Sequence, residues 1–253
     1  MMVIRYLLTI AYDGTEFYGW QKQPDTKTVQ GELERVIGTI LQHPVEVQGQ
    51  GRTDRGVHAM GQTAHVDLPI PAQEISKFRY SVNSLLPETI FVKEMIAVNS
   101  EFHARFDATS RAYEYRIRFG SNVHQRLSEF QLHEDVPWDD DMVQQCASLL
   151  IGEHDFSSFC KSDPDLPHSN CTIYAAEWVR NGPLLSFEIE GNRFLRNMVR
   201  RLVGAMVLIG KGELRFEEFK NALCSPSEIE SAILYKTAPA QGLMLKKVKY
   251  RLD

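Results

Sequence analysis

Cysteine is scarce in this chain, and long apolar runs and a surplus of positive charge are missing. Four cysteines in 253 residues, Cys146, Cys160, Cys171 and Cys224, stand far apart with no Cys-x-x-Cys pair. That argues against a disulfide scaffold and a zinc ribbon, and leaves reduced thiols as the expectation. The longest apolar stretch, Leu202 to Gly210, falls well short of the roughly 18 residues a membrane span needs. Met1 to Asp13 carries Arg5 and Asp13 around an alternating apolar run, without a small-residue cleavage site, so a cytoplasmic protein is expected. No short repeat or low-complexity tract occurs. With 28 Lys and Arg against 33 Asp and Glu, the net charge is −5. A chain that holds polyanions by bulk positive charge is thereby excluded.

What is present is an ordinary globular composition, 43% hydrophobic and 24% charged, patterned into strands and helices. Ile4, Tyr6, Leu8 and Ile10 alternate as a strand, and Asp13-Gly14-Thr15 ends it as a turn. From Thr28, the residues Val29, Leu33, Val36, Ile37, Ile40 and Leu41 fall on one helix face. Strands follow at Val45 to Gln50 and Gln62 to Leu68, then a helix near Gln73 to Leu86 and a strand near Ile90 to Val98. This strand–helix–strand–strand–helix–strand order matches a ferredoxin-like half. A second series begins with the alternating strand Ala112 to Phe119. It continues through a helix at Asp139 to Leu150 and strands at Cys171 to Arg180 and Leu184 to Glu190, parted by the turn Asn181-Gly182-Pro183. A helix from about Arg193, a shorter one near Phe216 to Leu223 and a strand near Leu243 to Arg251 complete it. In the Arg193 helix an apolar face opposes Arg193, Arg196 and Arg200, which fall within about 60° of one another. Two α+β halves are expected, residues 1–106 and 107–253.

The most unusual segment is residues 51–62, GRTDRGVHAMGQ. Gly49, Gly51, Gly56 and Gly61 let the backbone turn sharply and a ligand approach closely. Asp54 sits between Arg52 and Arg55, and positive neighbours favour the charged carboxylate that a nucleophile or general base requires. Composition alone favours an aspartate that only fixes the turn. Asp54, His58 and His65 do not have the spacing of a zinc site. His65 lies in an alternating strand, as a hydrogen-bonded structural histidine would, and no metal is expected.

The run Gly51-Arg52-Thr53-Asp54-x-Gly56-Val57-His58-Ala59 resembles the catalytic signature of the bacterial tRNA pseudouridine synthase A (TruA) family. Further elements along the chain are similar to that family's. They include Tyr12-Asp13-Gly14 with Phe17-Tyr18-Gly19-Trp20-Gln21, and Asn83 with Leu86-Pro87. Phe102-His103-Ala104-Arg105-Phe106 and Arg111-Ala112-Tyr113-Glu114-Tyr115 follow. Asn197-Met198-Val199-Arg200 with Val203-Gly204, and Ala238-Pro239-Ala240-Gln241-Gly242-Leu243, complete the set.

The resemblance implies the α+β pseudouridine synthase fold: two ferredoxin-like or RRM-like halves, a mixed, mainly antiparallel sheet and a central active-site cleft. It implies an isomerase that works without a cofactor on uridines 38, 39 and 40 of the tRNA anticodon stem-loop, as a homodimer whose two subunits contact one tRNA. The family's catalytic aspartate falls on Asp54. Its active-site tyrosine falls on Tyr113, where a ring could stack on an extruded base or serve only as a core aromatic. Its active-site arginine falls on Arg200, implying an ion pair that holds Asp54 charged. Arg52 would fill the space left by the flipped base. Arg193 and Arg196 read either as RNA contacts or as a solvated stripe. Gln50, where a small residue is usual, and Arg196, where an aromatic or histidine is common, depart from the pattern. Three other readings compete: a non-catalytic RNA-binding or chaperone module, a paralogue with a shifted target, and a metal-dependent hydrolase. The acidic balance fits an enzyme that grips one shaped RNA through a local basic patch at Arg193 to Arg201, since Glu134 to Asp141 gathers five acids elsewhere.

Overall fold

The computed structural model describes residues 3–120, 129–132, 136–161, 168–224 and 236–251. The chain is α+β and divides into two compact units, Met1–Thr109 with Met244–Asp253, and Ser110–Leu243. The last strand belongs to the first unit, where it pairs with a strand nearly two hundred residues earlier.

In the first unit, β1 (Ile4–Tyr12), α1 (Val29–Leu41), β2 (Gln48–Gly49), β3 (His58–Leu68), α2 (Ile75–Leu85) and β4 (Ile90–Val98) follow in the expected order. β1 is central, antiparallel to both β3 and β4. Residues expected as a strand from Val45 pair only over Gln48–Gly49, against Ala64 and His65 at the far half of β3. The near half of β3 takes the last strand, here β10 (Leu243–Tyr250), in parallel, with Met244 opposite His58. α1 begins where Thr28 accepts a hydrogen bond from Gly31 N at 3.3 Å, which satisfies one of the open amides of its first turn. Its buried stripe is Val29, Leu33, Val36 and Ile37, and Tyr6, Leu8 and Ile10 of β1 are buried as well.

In the second unit, β5 (Ala108–Phe119), whose first two residues belong to the other unit, is followed by β6 (Phe130–Leu132) and α3 (Asp140–Leu149). Then come β7 (Gly152–Asp155), β8 (Asn170–Asn181), β9 (Leu184–Gly191), α4 (Met198–Gly210) and α5 (Phe216–Cys224). β9 lies between β5 and β8, antiparallel to both, and β7 pairs with β8. Asp139 caps α3, accepting from Met142 N at 2.9 Å, while Asp140 pairs with Arg180 at 2.7 Å. Glu134 and Asp135 of the acidic run lie outside the described residues.

α4 departs from expectation. It begins at Met198, not near Arg193, because Asn197 takes a left-handed backbone (φ 63°) that a continuing helix does not allow. Every residue from Leu202 to Gly210 is buried, so α4 is a core helix and its only polar positions are in the first turn. Arg193 and Arg196 therefore do not share a helix face with Arg200. Cys146, Cys160 and Cys171 are buried thiols, and Cys224 is an exposed one. Among the described residues no helix is long and apolar enough to cross a membrane.

Candidate active site

The Asp54 loop joins β2 to β3 and is pinned mainly through its backbone. Thr53 O accepts from Trp20 N (3.1 Å), Asp54 O from Val57 N (3.1 Å) and Phe17 O from Gly56 N (3.4 Å). The hydroxyls of Tyr12 and Thr53 meet at 2.8 Å, and Gly14 N donates to His58 Nδ1 at 3.1 Å. The Tyr12-to-Gln21 stretch thus serves as the platform on which the Asp54 loop rests. Two glycines make this approach possible. A Cβ on Gly14 would sit 2.0 Å from Val57 O, and one on Gly19, whose φ is +94°, would sit 2.4 Å from Thr53 O. Of the four glycines expected to free the loop, Gly56 alone has a positive φ, +78°, while Gly49 and Gly61 permit close approaches: a Cβ on Gly49 would run into the Trp20 indole, and one on Gly61 would sit 2.6 Å from Lys246 O.

The loop's stem is braced by a buried amide pair. Gln50 Nε2 donates to Gln62 Oε1 at 3.1 Å, and Gln62 passes a hydrogen bond on to Gly51 O at 3.1 Å. The unusual Gln50 is thus a structural brace, hydrogen-bonded where an unpaired buried amide would be costly. At the tip, the Asp54 side chain is half-buried while Arg52 and Arg55 are exposed. The Arg55 guanidinium stacks on Tyr18, 4.2 Å from the ring centroid.

His65 behaves as a structural histidine. Its Nδ1 accepts from Ala104 N at 3.2 Å. Burial first, then the charges of His103 and Arg5, push its pKa down to about 4. Among the described residues no three His, Cys, Asp or Glu side chains form a cluster fit to hold a metal ion.

Tyr113, Arg193, Arg196 and Arg200 belong to the second unit. Tyr113, half-buried on β5, meets Phe194 edge-to-face at 5.2 Å. Phe194 lies in the irregular segment that precedes α4. That segment is tied to its surroundings by Asn192, which donates from N to Thr172 O at 3.0 Å and accepts from Thr172 N at 2.9 Å. Arg111 donates to Asn192 O at 2.8 Å, and Lys161 N to Arg196 O at 3.0 Å. Arg196 is exposed and Arg193 half-buried. Burial pushes the Cys171 thiol up to about 11, and the positive charge of Arg193 works against that rise.

Arg200, in the first turn of α4, clasps the 236–242 segment. Its Nε donates to Ala238 O at 2.8 Å, and Ala238 N returns a bond to Arg200 O at 3.0 Å. Tyr115 anchors the same segment and was not singled out from the sequence. It is fully buried and donates its hydroxyl proton to Pro239 O at 2.9 Å. Burial raises its phenol pKa, against the opposing field of Arg200. Tyr115 lies in the strand expected at Ala112 to Phe119, but its polar end carried no local signal.

A family model for tRNA pseudouridine synthase matches residues 8–107 and 146–251. The chain belongs to the tRNA pseudouridine synthase A family. It is 43% identical to the tRNA pseudouridine synthase A of Chlorobaculum tepidum over 245 residues, 96% of each chain. It is 40% identical to that of Bacillus licheniformis over 258 residues, 98% of this chain and 99% of the other. That of Bacteroides fragilis is 36% identical over 251 residues, 99% and 98% of the two chains. Like them, this tRNA pseudouridine synthase is an isomerase. The family match spans Arg52, Asp54, Arg193, Arg196 and Arg200, while Tyr113 falls between its two stretches.

Proposed function

We propose that this isomerase converts uridine to pseudouridine at positions 38, 39 and 40 of the tRNA anticodon stem-loop, with Asp54 as the catalytic carboxylate. The observation that carries the reading is the Asp54 loop itself: a half-buried carboxylate on a tip whose backbone is held by the Tyr12-to-Gln21 platform. Catalysis needs a group whose position is set before substrate arrives, and a loop fixed through its main chain supplies that.

The reaction exchanges the C–N glycosidic bond for a C–C bond to carbon 5 of the same uracil. The proton lost from carbon 5 is balanced by one gained at the freed nitrogen. The overall change is an isomerisation and consumes no oxidant or reductant. As the glycosidic bond breaks, positive charge builds on the sugar. A carboxylate there either traps the sugar covalently or removes a sugar proton, and both routes use the same charged oxygen. Arg200 serves as the cationic counterpart that keeps the carboxylate charged, and Tyr113 offers its ring to the extruded base. Arg52 occupies the gap in the stack, its planar fork suited to bases and phosphates. Arg193 and Arg196 contact phosphates. The working form is a homodimer in which one tRNA touches both subunits.

The test is to incubate the purified protein with unmodified tRNA transcripts and map pseudouridine by nucleotide. Conversion confined to positions 38 to 40, unaffected by a chelator, is the expected result. Conversion elsewhere contradicts the site assignment, and tRNA binding without conversion supports a binding module instead.

A further inference from the structure

The first unit carries a second feature with the chemistry of a nucleic-acid contact, outside the Asp54 loop. After β4 the chain enters a tight turn through Phe102-His103-Ala104-Arg105-Phe106. Phe102 is buried against Leu7 and Ala104 and packs on Tyr250 at 5.1 Å. Ala104 is held at both polar ends, N to His65 Nδ1 at 3.2 Å and O from the Tyr250 hydroxyl at 2.8 Å. His103 N donates to Asp107 Oδ2 (2.7 Å), Arg105 N to His103 Nδ1 (3.1 Å) and Asp107 N to His103 O (3.0 Å). The turn is therefore locked before any partner arrives, and its acid, Asp107, is engaged within it. The neighbouring Asp67 is likewise taken, by Arg5 at 2.7 Å.

Three rings climb out of the core along this turn. His65 and His103 stand 4.7 Å apart, and His103 and Phe106 stand 4.3 Å apart at 38°. The ladder ends at Phe106, which is 74% exposed. The Arg105 guanidinium lies 5.8 Å from its centroid. A rigidly presented ring in water contributes little to the fold, since burial is what makes an aromatic stabilising. A flat ring beside a guanidinium matches one ligand well: an unpaired nucleotide, whose base stacks while its phosphate meets the cation.

We propose that Phe106 and Arg105 form a stacking platform for an unpaired nucleotide of the bound tRNA, distinct from the target uridine. The proposal rests on the tRNA reading above. His65, which anchors the turn, lies roughly 24 Å along β3 from His58, at about 3.4 Å per residue. The platform is accordingly remote from the Asp54 end of that strand and acts on binding.

The experiment measures the affinity of the full-length protein for unmodified tRNA across a salt series, for wild type, Phe106→Ala, Phe106→Leu, Phe106→Trp and Arg105→Ala. Phe106→Ala should weaken binding roughly 5- to 150-fold, the range for losing one stacked base. Phe106→Trp should restore it and Phe106→Leu should not. Arg105→Ala should flatten the log–log salt slope by roughly 0.7 to 0.9, one phosphate contact, whereas the Phe106 variants should leave the slope unchanged. Melting temperatures should match wild type, because the ring is in water. Unchanged affinity in Phe106→Ala, or full affinity in Phe106→Leu, overturns the platform. So does a change in sedimentation that accounts for the lost affinity, which would make the patch a contact between copies. Wild type that neither binds nor converts tRNA would instead overturn the tRNA reading itself.

Discussion

The Asp54 loop and the 192–201 stretch, an irregular segment that runs into the first turn of α4, both present charged residues, and they are held in different ways. The Asp54 loop is pinned by turns close to it in the fold, through main-chain bonds from Phe17 to Trp20 and through two glycine approaches. The arginine segment is tied instead by scattered contacts to Thr172, Lys161, Arg111 and Ala238, drawn from several distant elements. One is a stiff mount that resists any added atom. The other is a suspended strap whose geometry depends on Asn197. Precise placement suits a carboxylate at the reacting sugar, whereas several tethers suit cations that follow a phosphate backbone.

Breaking the stiff mount should have the largest effect on folding. Gly19→Ala places a methyl 2.4 Å from Thr53 O at a φ of +94°, and should cost about 3 kcal/mol in urea unfolding, with activity falling in parallel. A change under 1 kcal/mol would show that the loop yields easily. Arg200→Met tests the strap's inner end. Pseudouridine formation should fall about 10²-fold in kcat, with tRNA affinity changing far less. Equal losses in kcat and affinity would make Arg200 a binding residue.

The strand that carries the loop gives a pH signature. In the unfolded chain His65 protonates near its ordinary 6.5, while in the fold it stays neutral down to about 4. The unfolded state therefore binds more protons between these values, and stability falls as the pH drops through that window. Lowering the pH from about 7 to 5 should remove about 2 kcal/mol through His65 alone. His65→Asn, whose Oδ1 can still accept from Ala104 N, should show a shallower loss over the same range. The smallest effect belongs to the strap's hinge. Asn197→Ala should cost about 1 kcal/mol and weaken tRNA binding modestly, and Asn197→Gly should be nearly neutral for stability, because only a left-handed backbone is at stake.

The same contrast explains what could be read from the residues alone. β1, α1, β4, α3, β8, β9 and α5 were legible because each carries its own apolar period and its own turn or cap, as with Thr28 and Asp139. The GRTD loop stood out because its glycines and charged residues are contiguous, while the role of Asp54 came only from the family resemblance. The Arg193 helix was misread because Phe194, Leu195, Met198 and Val199 have helical spacing, and nothing local announces that Asn197 turns left-handed. The return of β10 to β3 and the shortness of β2 depend on pairing between distant segments, which periodicity does not encode. Tyr115 was missed for a related reason: its partner, Pro239 O, lies 124 residues away.

The central claim is that the Asp54 carboxylate performs the chemistry and that the loop only holds it. Asp54→Asn, which keeps the shape and removes the charge, tests this most directly when pseudouridine formation and tRNA binding are measured on the same samples. Turnover should drop by at least about 10³-fold while the dissociation constant stays within a few-fold of wild type. Pseudouridine formed at a near-wild-type rate would contradict the account.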